Sequence, residues 1–214
     1  MEQKNKYLRH GEKQYNLILS TAEKIFVEQG IEKVKLSDIV EECGIMRATF
    51  YRYFKNKEEL LWHIMKMHTM DFFQKLEEKI GNGECTTFDK FEKFINLLCE
   101  GFDRNPNSYL FIDLFKDTYL NATSHEDSEL LMTIYEEDDY HTGDTVKFFL
   151  ENFYDGSVKE VLDPKITAVS ILYSSLIIVS TMAKQTATIP AKYQIQAGDL
   201  VRFSLNALLD KIRP

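Results

Sequence analysis

The chain has 214 residues, 44% hydrophobic and 28% charged, with only nine Gly and four Pro. That composition excludes a disordered polymer and disfavours a sandwich or barrel of many tight turns, leaving long helices joined by short breaks. The formal charge of −8 argues against a general nucleic-acid coat, but it is unevenly spread: residues 1–66 carry 12 Lys and Arg against 10 Asp and Glu, and the rest carry 14 against 24.

In chain order, residues 1–14 read as a basic flexible arm without the apolar core of a secretory signal. Residues 15–29 place Ile18, Ala22, Ile25 and Phe26 at helical spacing, and Gly30 takes the left-handed cap with Phe26 and Ile31 in apolar contact. Ser37 is expected to cap a short helix to about Cys43, with Ile39 and Val40 facing inward. Gly44 supplies a turn, and a second short helix spans residues 46–54. Two short helices joined through a Gly have the form of a helix-turn-helix. Asn56 opens a long helix with Glu59 in the capping-box position, and Leu60, Ile64, Met67, Phe72, Leu76 and Ile80 carry its apolar stripe as far as Gly81.

Beyond that break, Phe88, Phe91, Ile95, Leu98 and Phe102 mark a helix that stops before Asn105-Pro106. Residues 109–120 form another, residues 121–127 a polar connection, and residues 130–135 and 146–154 two more, separated by the acidic run 136–139 and Gly143. Asp163-Pro164 is a cap followed by Pro at the first helical position. It opens 166–183, 18 residues without a charge, near the length that spans a bilayer. Six of those residues are Ser or Thr and no second such segment exists, so a buried helix is expected and no membrane contact. Pro190 closes the connection to a final helix over 195–212. The fold is all-α with about nine helices: a three-helix head at 15–62 and a larger helical body at 63–214.

A helix entering a DNA groove needs small or polar residues near its N-terminal end so that it can approach base edges and phosphates. Arg47, Ala48 and Thr49 supply them. Phe50 and Phe54 are spaced to bury behind, and the Tyr51 phenol, on another face, can reach a phosphate oxygen. Lys57 lies in a first helical turn, where a cation opposes the macrodipole unless an anion is close. It either forms a phosphate site with the free N–H groups of that end or is merely solvated, Glu58 and Glu59 already satisfying the dipole.

Gly44-Ile45, Thr49, Tyr51-x-Tyr53-Phe54 and Lys57-Glu58-Glu59-Leu60 together resemble the DNA-binding head of the TetR/AcrR family of bacterial transcriptional regulators. The resemblance implies a ligand-responsive regulator, usually a repressor, that binds a palindromic double-stranded DNA operator as a homodimer. A small molecule entering the body of each subunit releases it. By position, Arg47, Ala48, Thr49 and Tyr53 would face the groove, and Lys35, Ser37, Thr49, Tyr51 and Lys57 would meet phosphates. The chain departs from the pattern at three places. Lys35 stands where Thr is frequent, Cys43 replaces a common Ala as a small buried hydrophobe, and Met46 replaces the usual Ser, where it either touches a thymine methyl or packs.

In the body, Phe91, Phe102, Tyr109, Phe115, Tyr119, Phe149 and Tyr173 are candidates for the wall of a ligand cavity, or for core. Glu100 with Asp103, and Asp113 with Asp117, suit either a cationic effector or a solvated acidic face. The helices at 166–183 and 195–212 have more apolar surface than a monomer buries, so the last two helices are expected to form a four-helix homodimer interface. Three Cys without CxxC spacing suggest neither zinc nor a disulfide framework, and a reducing, cytoplasmic compartment. Five His without a GxSxG, HExxH or phosphate-loop motif give no enzyme, metal or cofactor reading. The competing function is a helical protein-interaction module without sequence-specific DNA binding.

Overall fold

The computed structural model describes residues 2–81, 85–119 and 142–214, with the side chains of these apart from 2–10 and 142–145. Among the described residues there are ten helices and no strand: α1 (Glu2–Gln29), α2 (Leu36–Glu42), α3 (Arg47–Phe50), α4 (Lys57–Ile80), α5 (Thr87–Arg104), α6 (Asn107–Tyr119), α7 (Thr142–Leu150), α8 (Pro164–Ala183), α9 (Thr188–Tyr193) and α10 (Ala197–Ile212).

Most boundaries follow local chemistry. Gly30 closes α1 with φ of 86°, its N–H donating to the Phe26 carbonyl at 2.9 Å. The Asn56 side chain caps α4 by accepting from the Glu59 N–H at 2.7 Å, and Asp163 caps α8 by accepting from Ile166 N–H at 2.7 Å, with Pro164 following.

Four expectations are corrected. First, α1 runs back to Glu2 where a flexible arm was expected; residues 2–14 contain no Pro, and their one Gly, Gly11, costs a helix interior about 1 kcal/mol without breaking it. Second, α3 is four residues long rather than nine, because Arg52 and Tyr53 N–H bond to carbonyls three residues back and tighten the last turn. Third, α7 ends at Leu150, before a turn in which Asn152 has φ of 55°. Fourth, Pro190 does not merely close a connection: it sits in the first turn of α9, where its missing N–H is not needed. The expected helix 130–135, the acidic run 136–139 and the connection 121–127 lie outside the described residues.

Two hydrophobic cores organise the chain. The head core joins Ile18, Ala22, Phe26, Ile39, Phe50, Phe54, Leu60 and Ile64 from α1 to α4, and it also takes Phe111 and Phe115 from α6. The head therefore continues past residue 62, through Ile64 and Met65, and is keyed into the body. The body core gathers Leu76 of α4, Phe91, Ile95 and Phe102 of α5, Phe149 of α7, and the inner faces of α8 and α10. Helix α8, long and apolar enough to cross a membrane, packs instead against α5, α6, α7 and α10.

Candidate nucleic-acid interface

The turn between α2 and α3 is set by backbone chemistry. Gly44, with φ of 61°, lets its own N–H reach the Glu41 carbonyl at 3.0 Å while Ile45 N–H reaches the Val40 carbonyl at 3.1 Å. This is a complete Schellman ending, and it fixes the angle at which α3 leaves α2. At the other end of α2 the expected cap is corrected. Lys35, not Ser37, is the N-cap residue, and Asp38 three positions on accepts from the Lys35 N–H at 2.9 Å. Ser37 is exposed, and its hydroxyl donates to Asp38 at 3.2 Å.

Phe50 and Phe54, both buried, anchor α3 and the turn after it against α1 and α4. Outward from that anchor, Met46, Arg47, Ala48 and Tyr51 are exposed and Thr49 is half-buried. Cys43 lies in the core, where burial pushes its thiol pKa up, in keeping with a packing residue and not a reactive one.

Around this tip Lys33, Lys35, Arg47, Arg52 and Lys55 are all exposed, and none forms an ion pair with a described carboxylate. Cations without a carboxylate partner beside an exposed helix start make a surface suited to phosphates flanking a groove.

Two of the expected contact residues are turned inward. The Tyr53 hydroxyl donates to Gln14 of α1 at 3.3 Å, and its ring lies 6.1 Å from that of Tyr15. The Lys57 ammonium donates to the carbonyls of Ile31 at 3.0 Å and Val34 at 3.1 Å. Those carbonyls belong to the turn joining α1 to α2, so two of its three protons clamp the segment that carries Lys33 and Lys35. Neither a phosphate contact nor mere solvation had anticipated that clamp.

Sequence reasoning also missed the ties of α1 to α4. The Tyr15 hydroxyl and His63 Nδ1 share a hydrogen bond at 2.8 Å, and Glu23 and His68 face each other at 3.0 Å in a mostly buried pair. Only helical spacing on two separate segments could have pointed to them, and spacing does not say which faces meet.

The body candidates separate. Phe91 and Phe149 stack at 4.6 Å, and Phe102 stacks on Tyr109 at 6.2 Å, all four buried in the body core. The Tyr109 hydroxyl donates to the Leu98 carbonyl at 2.9 Å, and burial pushes its pKa well up. Phe115 belongs instead to the head core, edge-on to Trp62 at 4.8 Å, with the half-buried Tyr119 5.0 Å beyond it. Tyr173 is 65% exposed on α8 and cannot line an internal cavity.

Three of the four acids expected to attract a cationic effector are already paired: Glu100 with Lys79 at 2.9 Å, Asp103 with Arg202, and Asp113 with Lys184 at 2.5 Å. An open cleft of about 400 Å³ lies between α4, α5 and α10, lined by Lys79, Lys93, Asn96, Glu100, Arg202 and Asn206, with none of the aromatic candidates among its walls. Among the described residues no group of three His, Cys, Asp or Glu is placed to hold a metal.

Residues 18–64 match the family model of bacterial regulatory proteins of the tetR family. The fatty acid metabolism regulator protein of Bacillus subtilis is 33% identical over 66 residues, 31% of this chain and 34% of that protein. The chain thus matches about a third of that relative's length, and 49% of the next curated relative. In structure, the fatty acid degradation regulator FadR from Bacillus halodurans superposes with a TM-score of 0.70 at 18% identity, over 93% of this chain and all of that one. SmeT, the repressor of a Stenotrophomonas maltophilia multidrug efflux pump, solved in complex with triclosan, superposes with a TM-score of 0.65 at 20% identity, over 94% of this chain and 92% of that one. These two likenesses concern the fold, whereas the head is matched in sequence. Residues 18–64 thus carry a head of the kind found in bacterial regulatory proteins of the tetR family, and the chain as a whole shares the fold of solved regulators.

Proposed function

We propose that this chain is a ligand-responsive transcriptional regulator, acting as a repressor, that binds a palindromic DNA operator as a homodimer in the cytoplasm. The observation that carries the reading is the ring of five exposed cations around α3, none engaged by a described carboxylate, on a chain whose net charge is −8. Charges held back from internal pairing at the start of a recognition helix serve an anionic partner, and an acidic body orients the dimer head-first toward it. Arg47, Ala48 and Thr49 are assigned to base edges, and Lys35, Ser37, Thr49 and Tyr51 to phosphates.

Homodimerisation through α8 and α10 is supported by apolar side chains left on their outer faces. Ile166, Tyr173 and Ile177 recur at helical spacing on α8, and Phe203 stands 77% exposed on α10. Two copies of each helix bury that surface in a four-helix interface. The effector is assigned to the helical body. Triclosan and fatty acids are the first probes, because SmeT was solved with triclosan and a relative is a fatty acid metabolism regulator.

The test is fluorescence anisotropy with the duplex adjoining the chain's own gene. Sequence-specific binding that weakens steeply with salt and is relieved by a small molecule is expected. Binding indifferent to sequence would overturn the reading. A stable monomer in equilibrium sedimentation at micromolar concentration would overturn the dimer.

A further inference from the structure

The least expected side chain on the interface is Met46. It is the N-cap residue of α3, with extended backbone, and its carbonyl accepts from the Thr49 and Phe50 N–H groups at 2.8 and 3.2 Å. Its side chain supplies no cap, so it does nothing for the helix that Ser or Asn would do better. Nor does it pack: it is 75% exposed, the most exposed large hydrophobic side chain of the head. The backbone bonds hold its Cα rigidly at the N-terminal end of the recognition helix, where side chains of a helix-turn-helix meet base edges. Its exposed neighbours, Arg47 and Ala48, leave it room to lie flat on a surface.

An unbranched thioether has no donor for a phosphate and only a weak acceptor for the amino groups of cytosine or adenine, so hydrogen bonding offers it little. The one apolar group that the major groove offers is the C5-methyl of thymine. We propose that Met46 is a specificity-determining residue that reads one thymine methyl in each operator half-site. The inference rests on the DNA-binding reading above and deepens it. It also makes the departure at this position a gain of base readout, where a Ser would have supplied only a cap.

The test removes that methyl and nothing else. Duplexes are selected from a random pool by the full-length chain, and each thymine of the recovered site is replaced in turn by uracil. Met46→Ala, a change at an exposed position, serves as the second arm, with circular dichroism melting to show an unchanged fold. One thymine per half-site is expected whose replacement weakens wild-type binding about four-fold, the worth of one buried methyl group, and leaves Met46→Ala unaffected. Replacements that weaken both proteins equally, or weaken neither at any position, overturn the role of Met46 while leaving operator binding intact. A chain that selects no duplex overturns the DNA-binding reading itself.

Discussion

The cations around α3 and several charged groups of the body have different partners. In the body, Glu100, Asp103 and Asp113 each meet a cation from another helix, and the buried Lys90 is spent on the carbonyls of Phe148 and Glu151, both at 3.0 Å, at the end of α7. Around α3, five exposed cations lack a carboxylate partner, and Lys57 turns inward. These body pairs tie one helix to the next, whereas the cations around α3 face solvent without a carboxylate partner. The chain's acidic total conceals this because it sums two regions built for different purposes.

The contrast stops at the seam, where the body lends two aromatics to the head. Phe111, fully buried against Phe26 and Phe115, is the residue whose removal most directly breaks the arrangement. Phe111→Ala is expected to cost about 3–5 kcal/mol, through lost burial plus the cavity left behind. Urea unfolding should show it, with the head-side Trp62 fluorescence shifting to lower urea along with the helical signal. A head whose transition is unmoved would mean that the two cores are independent.

Next in size is the buried lysine. Lys90→Met keeps the stem and removes the ammonium, leaving two carbonyls at the end of α7 without their donor, and an expected loss of about 1–3 kcal/mol in the same unfolding experiment. Operator affinity of the folded protein should not change. An altered salt dependence of DNA binding in this variant would contradict the division between body and head.

The head is sharpened by comparing two of its lysines. Lys35→Ala is expected to flatten the salt dependence of operator binding by about one phosphate contact, a change of roughly 0.9 in the logarithmic slope. Lys57→Ala is expected to weaken binding while keeping the slope, because its ammonium holds the turn at Ile31 and Val34 instead of a phosphate. A slope that falls equally in both would return Lys57 to the phosphate contacts.

What was legible in the sequence is what depends on residues within about one helical turn. Gly30, Gly44, Asn56 and Asp163-Pro164 announced their caps because the bonds they make are local, and the two buried Phe of the head followed from a spacing of four. The inward bonds of Lys57 were not legible because its partners lie 23 and 26 residues away, across a turn whose carbonyl directions no periodicity reveals. Tyr173 was misread for the converse reason: α8 is apolar all round, so its pattern could not say which side faces the core. Glu100, Asp103 and Asp113 looked free because their cations come from α4, α10 and the cap that ends α8. At the candidate site, residue types were readable, but inward or outward orientation was settled only by packing.

The smallest effect expected concerns the loop that holds the start of α5. Burial works to raise the Asp155 carboxyl, but hydrogen bonds outweigh it: Ser157 and the Thr87 N–H, the latter at 2.6 Å, donate to the carboxylate and hold its pKa below the ordinary 3.8. A depressed carboxyl contributes stability that is fully present above its unfolded pKa and is lost as pH falls through the folded one. Asp155→Asn should therefore melt below wild type at pH 6, and the gap should close as the pH drops below about 3.8. Because the side chain is exposed, the gap should be smaller than that of Lys90→Met. A gap constant with pH would mean that the charge on Asp155 does nothing, and that the loop is held by the shape of its turn.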